Sequence, residues 1–198
     1  MRSRFWENIY KQDDVANLPW FSPLLDNEVR EYLEKINSHT GSFLDLGTGL
    51  GTQGIELARL GYDVTATDIS PTAIQKAEER ARREGVSITF LVDNILKTRL
   101  PPDSFNFLYD RGVFHTMEPR QRKKFVRTIR RLIKKDGRYF LKAFSTRTPG
   151  TWGPYRFTEE DIVRYFSPLF EILSINHSIY PGTLEEAPRT LFCVMRPK

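Results

Sequence analysis

The sequence predicts an α/β protein built on a doubly wound, mostly parallel sheet. An apolar run at 43–46 passes directly into glycines at alternate positions, and a helical pattern follows from Gly54. Short runs rich in β-branched residues then alternate with helical stretches, which is typical of parallel strands joined by crossover helices. The 198 residues suit one well-filled domain better than two.

The glycine-rich stretch 45–52 is the centre of this prediction. Gly47, Gly49 and Gly51 alternate, and Asp45 stands two positions before the first of them. A strand that turns sharply into a helix leaves backbone N–H groups unpaired, and glycine lets a ligand lie close to the backbone. Asp45 adds a carboxylate at the strand's carboxyl end, where open α/β sheets bind ligands. The stretch predicts a nucleotide-type site, with a purely structural turn as the alternative.

Two further strands end in polar residues that suit the same ligand. The predicted strand 62–68 ends at Asp68, about 20 residues after the glycines, where an acid binds ribose hydroxyls. Ile69 follows and offers an apolar surface for an adenine ring. The next strand ends at Asp93 and Asn94, which can bind an adenine amino group or, alternatively, form a turn. The three acids therefore lie at the ends of neighbouring strands.

Helix boundaries between the strands follow from capping residues. Ser70 and Pro71 supply an N-cap and a first-turn proline, and Gly85 ends that helix. Asp26 is a predicted cap of an earlier helix, and Thr158 begins a short helix near the C-terminus.

The candidate reacting groups lie in the second half of the chain. A fourth strand at 105–109 ends in Asp110 and Arg111, and His115 follows shortly. The remaining predicted elements are a helix at 119–134, a strand at 138–145 after a turn at Asp136-Gly137, an irregular loop at 146–157 containing Trp152 and Tyr155, and strands at 170–177 and 190–195. Long irregular loops at strand ends often contact substrate.

Residues 1–40 are unusually aromatic and form a predicted segment apart from the domain at 41–198. The aromatic residues are Phe5, Trp6, Tyr10, Trp20, Phe21 and Tyr32. One interpretation is a terminal segment that seals the domain edge. The other is a lid over the ligand site, with Trp20 against the ligand.

Composition limits the function classes. The net charge of +5 and the pI of about 9.3 predict attraction to anions. Nine basic residues within 119–135 indicate a nucleic-acid surface or, as the favoured interpretation, a solvated helix face. Cys193 is the only cysteine, which excludes an intrachain disulfide. Without an apolar signal core or membrane span, we expect a soluble, cytoplasmic protein.

Together, the glycine turn, Asp68, Asp93 and Asp110 resemble the class I S-adenosylmethionine-dependent methyltransferases over nearly the whole chain. This resemblance implies a single Rossmann-like domain with seven strands in the order 3-2-1-4-5-7-6, the last antiparallel. It also implies S-adenosyl-L-methionine as the methyl donor and S-adenosyl-L-homocysteine as its product.

Two local stretches resemble a narrower group, the thiopurine and tellurite-resistance methyltransferases. They are residues 109–115 with 119–122, and Trp6, Tyr10 and Trp20 near the N-terminus. That group methylates small soft nucleophiles such as thiols and chalcogen anions. The resemblance implies a cofactor site formed by Trp20, Asp45, Gly47, Thr48, Gly49, Gly51, Asp68, Ile69, Asp93, Asn94 and Asp110. Asp110 and Arg111 would lie between the methionine moiety and the acceptor.

The expected chemistry is an in-line displacement on a methyl group already activated by a sulfonium. Alignment and an unprotonated nucleophile are the main requirements. Arg111 is the candidate for stabilising an anionic nucleophile. His115 is either a general base for a less acidic acceptor or a structural histidine. The sequence has no metal-ligand spacing, so no metal is expected.

We therefore predict a small-molecule methyltransferase, as a monomer or homodimer. The alternatives are a methyltransferase of RNA or protein, a nicotinamide-dependent oxidoreductase, and a cofactor-binding protein without turnover. The alternating glycine spacing opposes the oxidoreductase, because dinucleotide sites follow G-x-G-x-x-G. The basic helix favours the RNA alternative, although nucleic acid is not the partner we expect.

Overall fold

The computed structural model describes residues 3–12, 17–151 and 153–198. The predicted loop residue Trp152 lies outside these ranges. The elements are, in chain order, α1 (Ser3–Tyr10), α2 (Asn27–Lys35), β1 (Ser42–Leu46), α3 (Thr52–Arg59), β2 (Asp63–Asp68), α4 (Pro71–Arg83), β3 (Thr89–Val92), β4 (Phe105–Arg111), α5 (Pro119–Leu132), β5 (Ile133–Phe144), α6 (Glu159–Phe166), β6 (Phe170–Ile179) and β7 (Arg189–Pro197). A short 3-10 turn, Phe114–Thr116, lies between β4 and α5.

The seven strands form one sheet in the order β3-β2-β1-β4-β5-β7-β6. β7 runs antiparallel to both β5 and β6. The predicted strand order and the antiparallel last strand are therefore confirmed.

The chain divides into two compact units. The N-terminal unit comprises Arg2–Asn94 with Pro181–Leu184, and the C-terminal unit comprises Ile95–Tyr180 with Glu185–Lys198. The predicted division into a segment at 1–40 and a domain at 41–198 stays a prediction.

The N-terminal unit is built on the parallel strands β1, β2 and β3. Its core contains Phe43, Leu44 and Ala66, all fully buried. The start of α4 is as predicted, because the Ser70 side chain accepts a hydrogen bond from Ala73 N at 3.1 Å and Pro71 occupies the first turn. Asp26 occupies the N-cap position of α2, but its side chain makes no capping hydrogen bond.

The N-terminal helix α1 was not predicted. Eight residues are too few for an isolated helix to be stable in water, so contacts with the rest of the unit must stabilise it. Glu7 accepts hydrogen bonds from Ser70 Oγ at 2.6 Å and Thr72 Oγ1 at 2.7 Å. The hydrogen bond from Ser70, and then the bond from Thr72, lower the pKa of Glu7 to about 2. The Glu7 carboxylate thus holds α1 at the N-terminus of α4, where the helix dipole favours a negative charge.

The C-terminal unit packs α5 and α6 around the ring of Phe114. That ring lies 5.5 Å from Phe125, 5.0 Å from Phe157 and 4.9 Å from Phe166, measured between centroids. α6 begins with a capping box, in which Thr158 and Asp161 each accept a hydrogen bond from the other's backbone N–H. The predicted cap at Thr158 is therefore confirmed.

The predicted boundary between α5 and β5 was wrong. α5 ends at Leu132 and β5 begins at Ile133, whereas the sequence predicted a helix to 134 and a strand from 138. The strand pairing jumps from Phe105↔Ile133 to Phe107↔Arg138, so residues 134–137 form a bulge. A Cβ at Gly137 would lie 2.7 Å from the Asn106 carbonyl oxygen, which explains the glycine. The predicted turn exists, but it lies inside the strand.

Candidate active site

The alternating glycines form a turn of left-handed residues at the end of β1. Gly47, Gly49 and Gly51 have φ values of +69°, +55° and +76°, which strongly favour glycine. Asp45 lies beneath this turn and is almost fully buried. Its Oδ2 accepts hydrogen bonds from Thr48 Oγ1 at 2.5 Å and Gly54 N at 3.0 Å. Asp45 therefore holds the turn against the start of α3, and direct binding of the cofactor by Asp45 or Thr48 stays a prediction.

Asp68, at the end of β2, also contacts the glycine turn. One carboxylate oxygen accepts a hydrogen bond from Gly49 N at 3.0 Å, and the other accepts one from Ser70 N at 2.9 Å. Burial raises the pKa of the Asp68 carboxyl to about 6. Ribose hydroxyl donors would stabilise its charged form, so the residue suits the predicted ligand. Ile69 is half-buried beside it.

Asp93 has a carboxylate oxygen that accepts no hydrogen bond from the described residues. Its backbone N–H donates to the Asp68 carbonyl at 2.8 Å, which places it directly beside the end of β2. Its Oδ2 is buried and has no hydrogen-bond partner in the described chain. A buried carboxylate oxygen without a donor is costly, and an adenine amino group would supply one. Asn94 follows and is half-buried.

Tyr10 contacts the glycine turn, although the sequence placed it only in a general aromatic segment. A Cβ added at Gly49 would lie 2.7 Å from the Tyr10 hydroxyl, so this phenol lies over the glycine turn. Trp6, one turn earlier on α1, contacts Trp20 edge-on at 5.7 Å between ring centroids. The spacing of Trp6 and Tyr10 places both on one helical face, and that signal could have identified α1.

In the described structure Trp20 therefore contacts a second tryptophan, Trp6. The connector between β6 and β7 holds the same segment, because Thr183 Oγ1 donates to the carbonyl oxygens of Asn17 and Leu18 at 3.1 and 3.2 Å. Trp20 is half-buried, and its contact with a cofactor stays a prediction.

Asp110, at the end of β4, is fully buried. Its carboxylate accepts hydrogen bonds from Val113 N at 2.5 Å, Phe114 N at 3.0 Å and Tyr139 Oη at 3.0 Å. Burial raises the pKa of this carboxyl to about 7. These contacts give Asp110 a role in fixing the turn that contains His115. Its predicted catalytic and cofactor contacts stay predictions.

Arg111 lies against an aromatic residue that the sequence analysis did not single out. Its guanidinium carbon is 4.2 Å from the centroid of the Tyr180 ring. The Tyr180 hydroxyl donates to the Arg111 carbonyl oxygen at 2.8 Å, so backbone and side chain both contact this tyrosine. A Cβ at Gly112 would lie 2.8 Å from both Tyr180 Oη and His115 Nε2. Arg111, His115 and Tyr180 therefore surround a glycine that leaves space between them.

His115 is buried, and its ring orientation fixes its chemistry. Nδ1 accepts a hydrogen bond from Phe144 N at 3.2 Å, so Nδ1 must be unprotonated and the neutral ring carries its proton on Nε2. Burial and then the Arg111 charge lower the pKa of His115 to about 3. Nε2 makes no hydrogen bond to any residue in the described ranges. The geometry thus favours Nε2–H as a donor and opposes the general-base alternative.

The basic helix α5 is only partly a solvated face. Lys123, Lys124 and Arg127 are exposed, as the sequence predicted. Arg122 is 7% exposed and packs inside the C-terminal unit, so counting it with the surface cations was wrong. It lies on the same helical face as the buried residues Phe125, Val126 and Ile129, which explains its position.

The described residues contain neither a metal-binding cluster nor a membrane-spanning helix. No three or more His, Cys, Asp or Glu side chains there are grouped so as to hold a metal ion. Every helix in the same ranges is too short or too polar to cross a bilayer.

Comparisons with known proteins agree with this geometry. Residues 43–137 match a family described as "Methyltransferase domain". The human protein named EEF1A lysine methyltransferase 2 is 28% identical over 185 residues, which cover 85% of this chain and 73% of that protein. The 2-heptyl-1-hydroxyquinolin-4(1H)-one methyltransferase of Mycobacteroides abscessus is 26% identical over 165 residues, covering 82% and 72%.

A solved structure titled "Conversion of a Disulfide Bond into a Thioacetal Group during Echinomycin Biosynthesis" has the same fold. Its TM-score is 0.86 at 22% identity, and the match covers 100% of this chain and 94% of that one.

The glycine turn can be tested with two matched variants. Gly49→Ala and Gly85→Ala both place a side chain at positive φ, +55° and +69°, so each should lower the free energy of unfolding by about 1–2 kcal/mol. The Gly85 Cβ meets nothing within 4 Å, whereas the Gly49 Cβ meets Tyr10. Calorimetric titration should show that only Gly49→Ala loses affinity for S-adenosylhomocysteine. Equal affinities in the two variants would contradict the placement of the site.

The state of His115 can be tested by two-dimensional ¹⁵N–¹H NMR of its imidazole, assigned by loss of the signals in His115→Gln. We expect the neutral ring with Nε2–H from pH 5 to pH 9, because its pKa is lowered to about 3 and Phe144 N–H occupies Nδ1. A protonation midpoint near pH 6.5, or an Nδ1–H tautomer, would show that the ring is available as a base.

Proposed function

We propose that this chain, whose matched domain and strand order are those of an S-adenosylmethionine-dependent methyltransferase, methylates a small molecule that reacts as an anion. A thiolate or another soft heteroatom is the favoured acceptor. The observation that carries this proposal is the Arg111 guanidinium against the Tyr180 ring, close enough that, besides burial, its charge lowers the pKa of His115, together with a buried His115 whose Nε2 can only donate a hydrogen bond.

The residues of the N-terminal unit suit the cofactor. Asp93 would accept from the adenine amino group, with Asn94 beside it and Ile69 against the ring. Asp68 would bind the ribose hydroxyls, as acids at this position do. The glycine turn, Tyr10 and Trp20 would contact the methionine moiety. The orphaned Asp93 Oδ2 supports this assignment, because it lacks a donor within the described residues.

The cofactor supplies a methyl group that its sulfonium already activates toward displacement. The protein therefore has to align the acceptor and keep it unprotonated. Alignment of reacting groups can contribute about 7–11 kcal/mol in ideal cases. Asp110 contributes to alignment by accepting hydrogen bonds from Val113 N and Phe114 N, which fixes the turn that positions His115.

Arg111 and His115 would stabilise negative charge on the acceptor. Arg111 is held against Tyr180, and the neutral His115 has its Nε2–H available as a donor. Donors fixed before reaction stabilise an anion strongly in a site from which water is excluded. A thiol with a pKa near 8.5 or an acidic hydroxyl needs only such stabilisation to react as an anion near neutral pH.

Methylation of a protein lysine is the second candidate. The 28% identity to human EEF1A lysine methyltransferase 2 over 185 residues favours it. A lysine has an ordinary pKa near 10.4 and must lose a proton before it reacts. The Asp110 carboxylate is buried and accepts three hydrogen bonds, His115 lacks a free basic nitrogen, and Arg111 would repel an ammonium. These features support the anionic small molecule over the lysine.

The deciding experiment is a methyl-transfer screen with radiolabelled S-adenosylmethionine. One panel contains thiols, thiophenols, selenols and acidic phenols, and the other contains lysine peptides, cell-extract proteins and RNA. We expect turnover in the first panel, with the acidic thiols and phenols fastest. Arg111→Gln should lower that turnover roughly 100-fold while the affinity for S-adenosylhomocysteine changes less than about twofold.

Arg127→Gln is the matched control, because Arg127 is exposed on the outer face of α5 and should not affect a small acceptor. Label on protein or RNA alone, lost in Arg127→Gln, would favour a macromolecular acceptor docked on α5. Unchanged turnover in Arg111→Gln would remove Arg111 from the reaction.

A further inference from the structure

Arg122 is a buried cation that has no carboxylate partner among residues 3–12, 17–151 and 153–198. It is 7% exposed, and it makes no ion pair in the described part of the chain. Burying an arginine without a counter-charge is unfavourable unless other groups replace its hydration. A residue kept under those conditions must satisfy its guanidinium through several neighbours at once.

Those neighbours come from three segments besides α5. Nε donates to the carbonyl oxygen of Met117 at 3.2 Å, and Nη1 donates to Tyr165 Oη at 3.1 Å. The guanidinium carbon lies 4.6 Å from the ring centroid of Tyr155 and 4.7 Å from that of Phe157. Arg122 thereby joins the turn after β4, the irregular loop before α6, and α6 itself.

The segments that contact Arg122 also contact His115 or lie next to it in the chain. Met117 lies two residues after it, and Tyr155 N donates to the His115 carbonyl oxygen at 3.0 Å. Phe157 N donates to the Phe144 carbonyl oxygen at 2.8 Å, and Phe144 N is the donor to His115 Nδ1. The loop that packs on Arg122 is thus bonded to His115 directly and through Phe144.

Tyr155 also presents a surface beyond this network. It is 44% exposed, although the guanidinium covers part of its ring. The orientation of this half-exposed aromatic residue in the acceptor-side loop therefore depends on Arg122.

We infer that Arg122 is a positioning residue for acceptor binding: it fixes Tyr155 and the backbone around His115 and thereby sets the affinity for the methyl acceptor. This inference rests on the proposed function. It assigns no contact between Arg122 and the cofactor or the reacting atoms.

Lysine cannot replace arginine in this role. Two donors of one planar group reach Met117 and Tyr165 while the face of the group packs on aromatic rings. A lysine ammonium is a strongly hydrated point charge without a planar face. Arg122→Lys keeps the charge and removes the stacking, so it separates the two properties.

The test compares Arg122→Lys with the control Arg120→Lys, whose arginine is on the same helix with an 81% exposed side chain. In Arg122→Lys we expect the KM for the acceptor to rise at least 10-fold, kcat to change less, and the affinity for S-adenosylhomocysteine to stay within twofold. Hydrogen exchange should become faster in the peptide containing Tyr155 and Phe157, and stay unchanged in the peptides of β1 and β2. Arg120→Lys should match the wild type.

A folded Arg122→Lys protein with unchanged KM, or with unchanged exchange at Tyr155, would overturn the inference. The exchange measurement decides even if no small acceptor is found, so failure of the proposed function is recognised separately by the absence of wild-type turnover. A parallel loss of cofactor affinity would show general damage and also overturn it.

Tyr155 supplies a second pair of variants if Arg122→Lys fails to fold. Tyr155→Phe keeps the ring and should leave the KM nearly unchanged, whereas Tyr155→Leu should raise it as Arg122→Lys does. Where both single variants fold, the double variant should be no worse than either, because residues that act through one contact are not additive. A Tyr155→Leu protein with the wild-type KM would contradict the inference.

Discussion

The turns after three parallel strands depend on one recurring interaction, the hydrogen bond from a backbone N–H to a carboxylate at the end of a strand. Asp45 accepts from Gly54 N, Asp68 from Gly49 N and Asp110 from Val113 N. Each of these acids is buried and fixes the turn that follows its own strand or a neighbouring one. Charged acceptors make such bonds about twice as strong as neutral ones, which explains how short turns rich in glycine are held in place.

The same interaction distinguishes Asp45, Asp68 and Asp110 from Asp93. Asp45, Asp68 and Asp110 each accept hydrogen bonds from backbone N–H groups, while Asp93 Oδ2 is buried without a partner in the described residues. The sequence treats all four acids alike, because each follows a short apolar strand. Only the three-dimensional contacts show that their tasks differ.

Arg111 and His115, the residues proposed to contact the acceptor, are also held in place by neighbouring groups, but they offer positive charge or a donor instead of a carboxylate. Arg111 is held on Tyr180, and the orientation of His115 is set by Phe144 N–H, so both positive or donor groups are fixed before any acceptor binds. The proton of the neutral ring is already on Nε2, so His115 could act as a base only through Nδ1, which would first have to lose its hydrogen bond from Phe144 N. The arrangement therefore suits an acceptor that arrives as an anion or becomes one beside Arg111.

Much of this could be predicted, and the exceptions have physical reasons. The glycine turn, the caps at Ser70 and Thr158 and the strand order were predictable because they depend on local chemistry or on a shared family pattern. Helix α1 was missed because its stability comes from Glu7 and its contacts with Ser70 and Thr72 rather than from its own eight residues. The β5 bulge depends on the pairing between β4 and β5, which no local window contains.

Arg122 shows most clearly where prediction from composition fails. Its neighbours in sequence are lysines and arginines, so composition assigned it to the surface, although its helical periodicity matches Phe125 and Ile129. Helical periodicity predicts the burial of Arg122 better than composition does, because a helix packed on a core buries one face, including a charged residue on that face.

We propose that the acceptor reacts as an anion without a protein base. The pH dependence of kcat/KM tests this most directly. We would measure kcat/KM from pH 5 to pH 9 for two acceptors of similar shape whose pKa values differ by about 2 units, such as two substituted thiophenols. We expect the midpoints of the two profiles to differ by the difference between the two acceptor pKa values, because His115 stays neutral across this range and any titration of Asp68 or Asp110, whose pKa values are about 6 and about 7, affects both profiles equally. The same midpoint for both acceptors would contradict a reaction in which the acceptor ionises without a protein base.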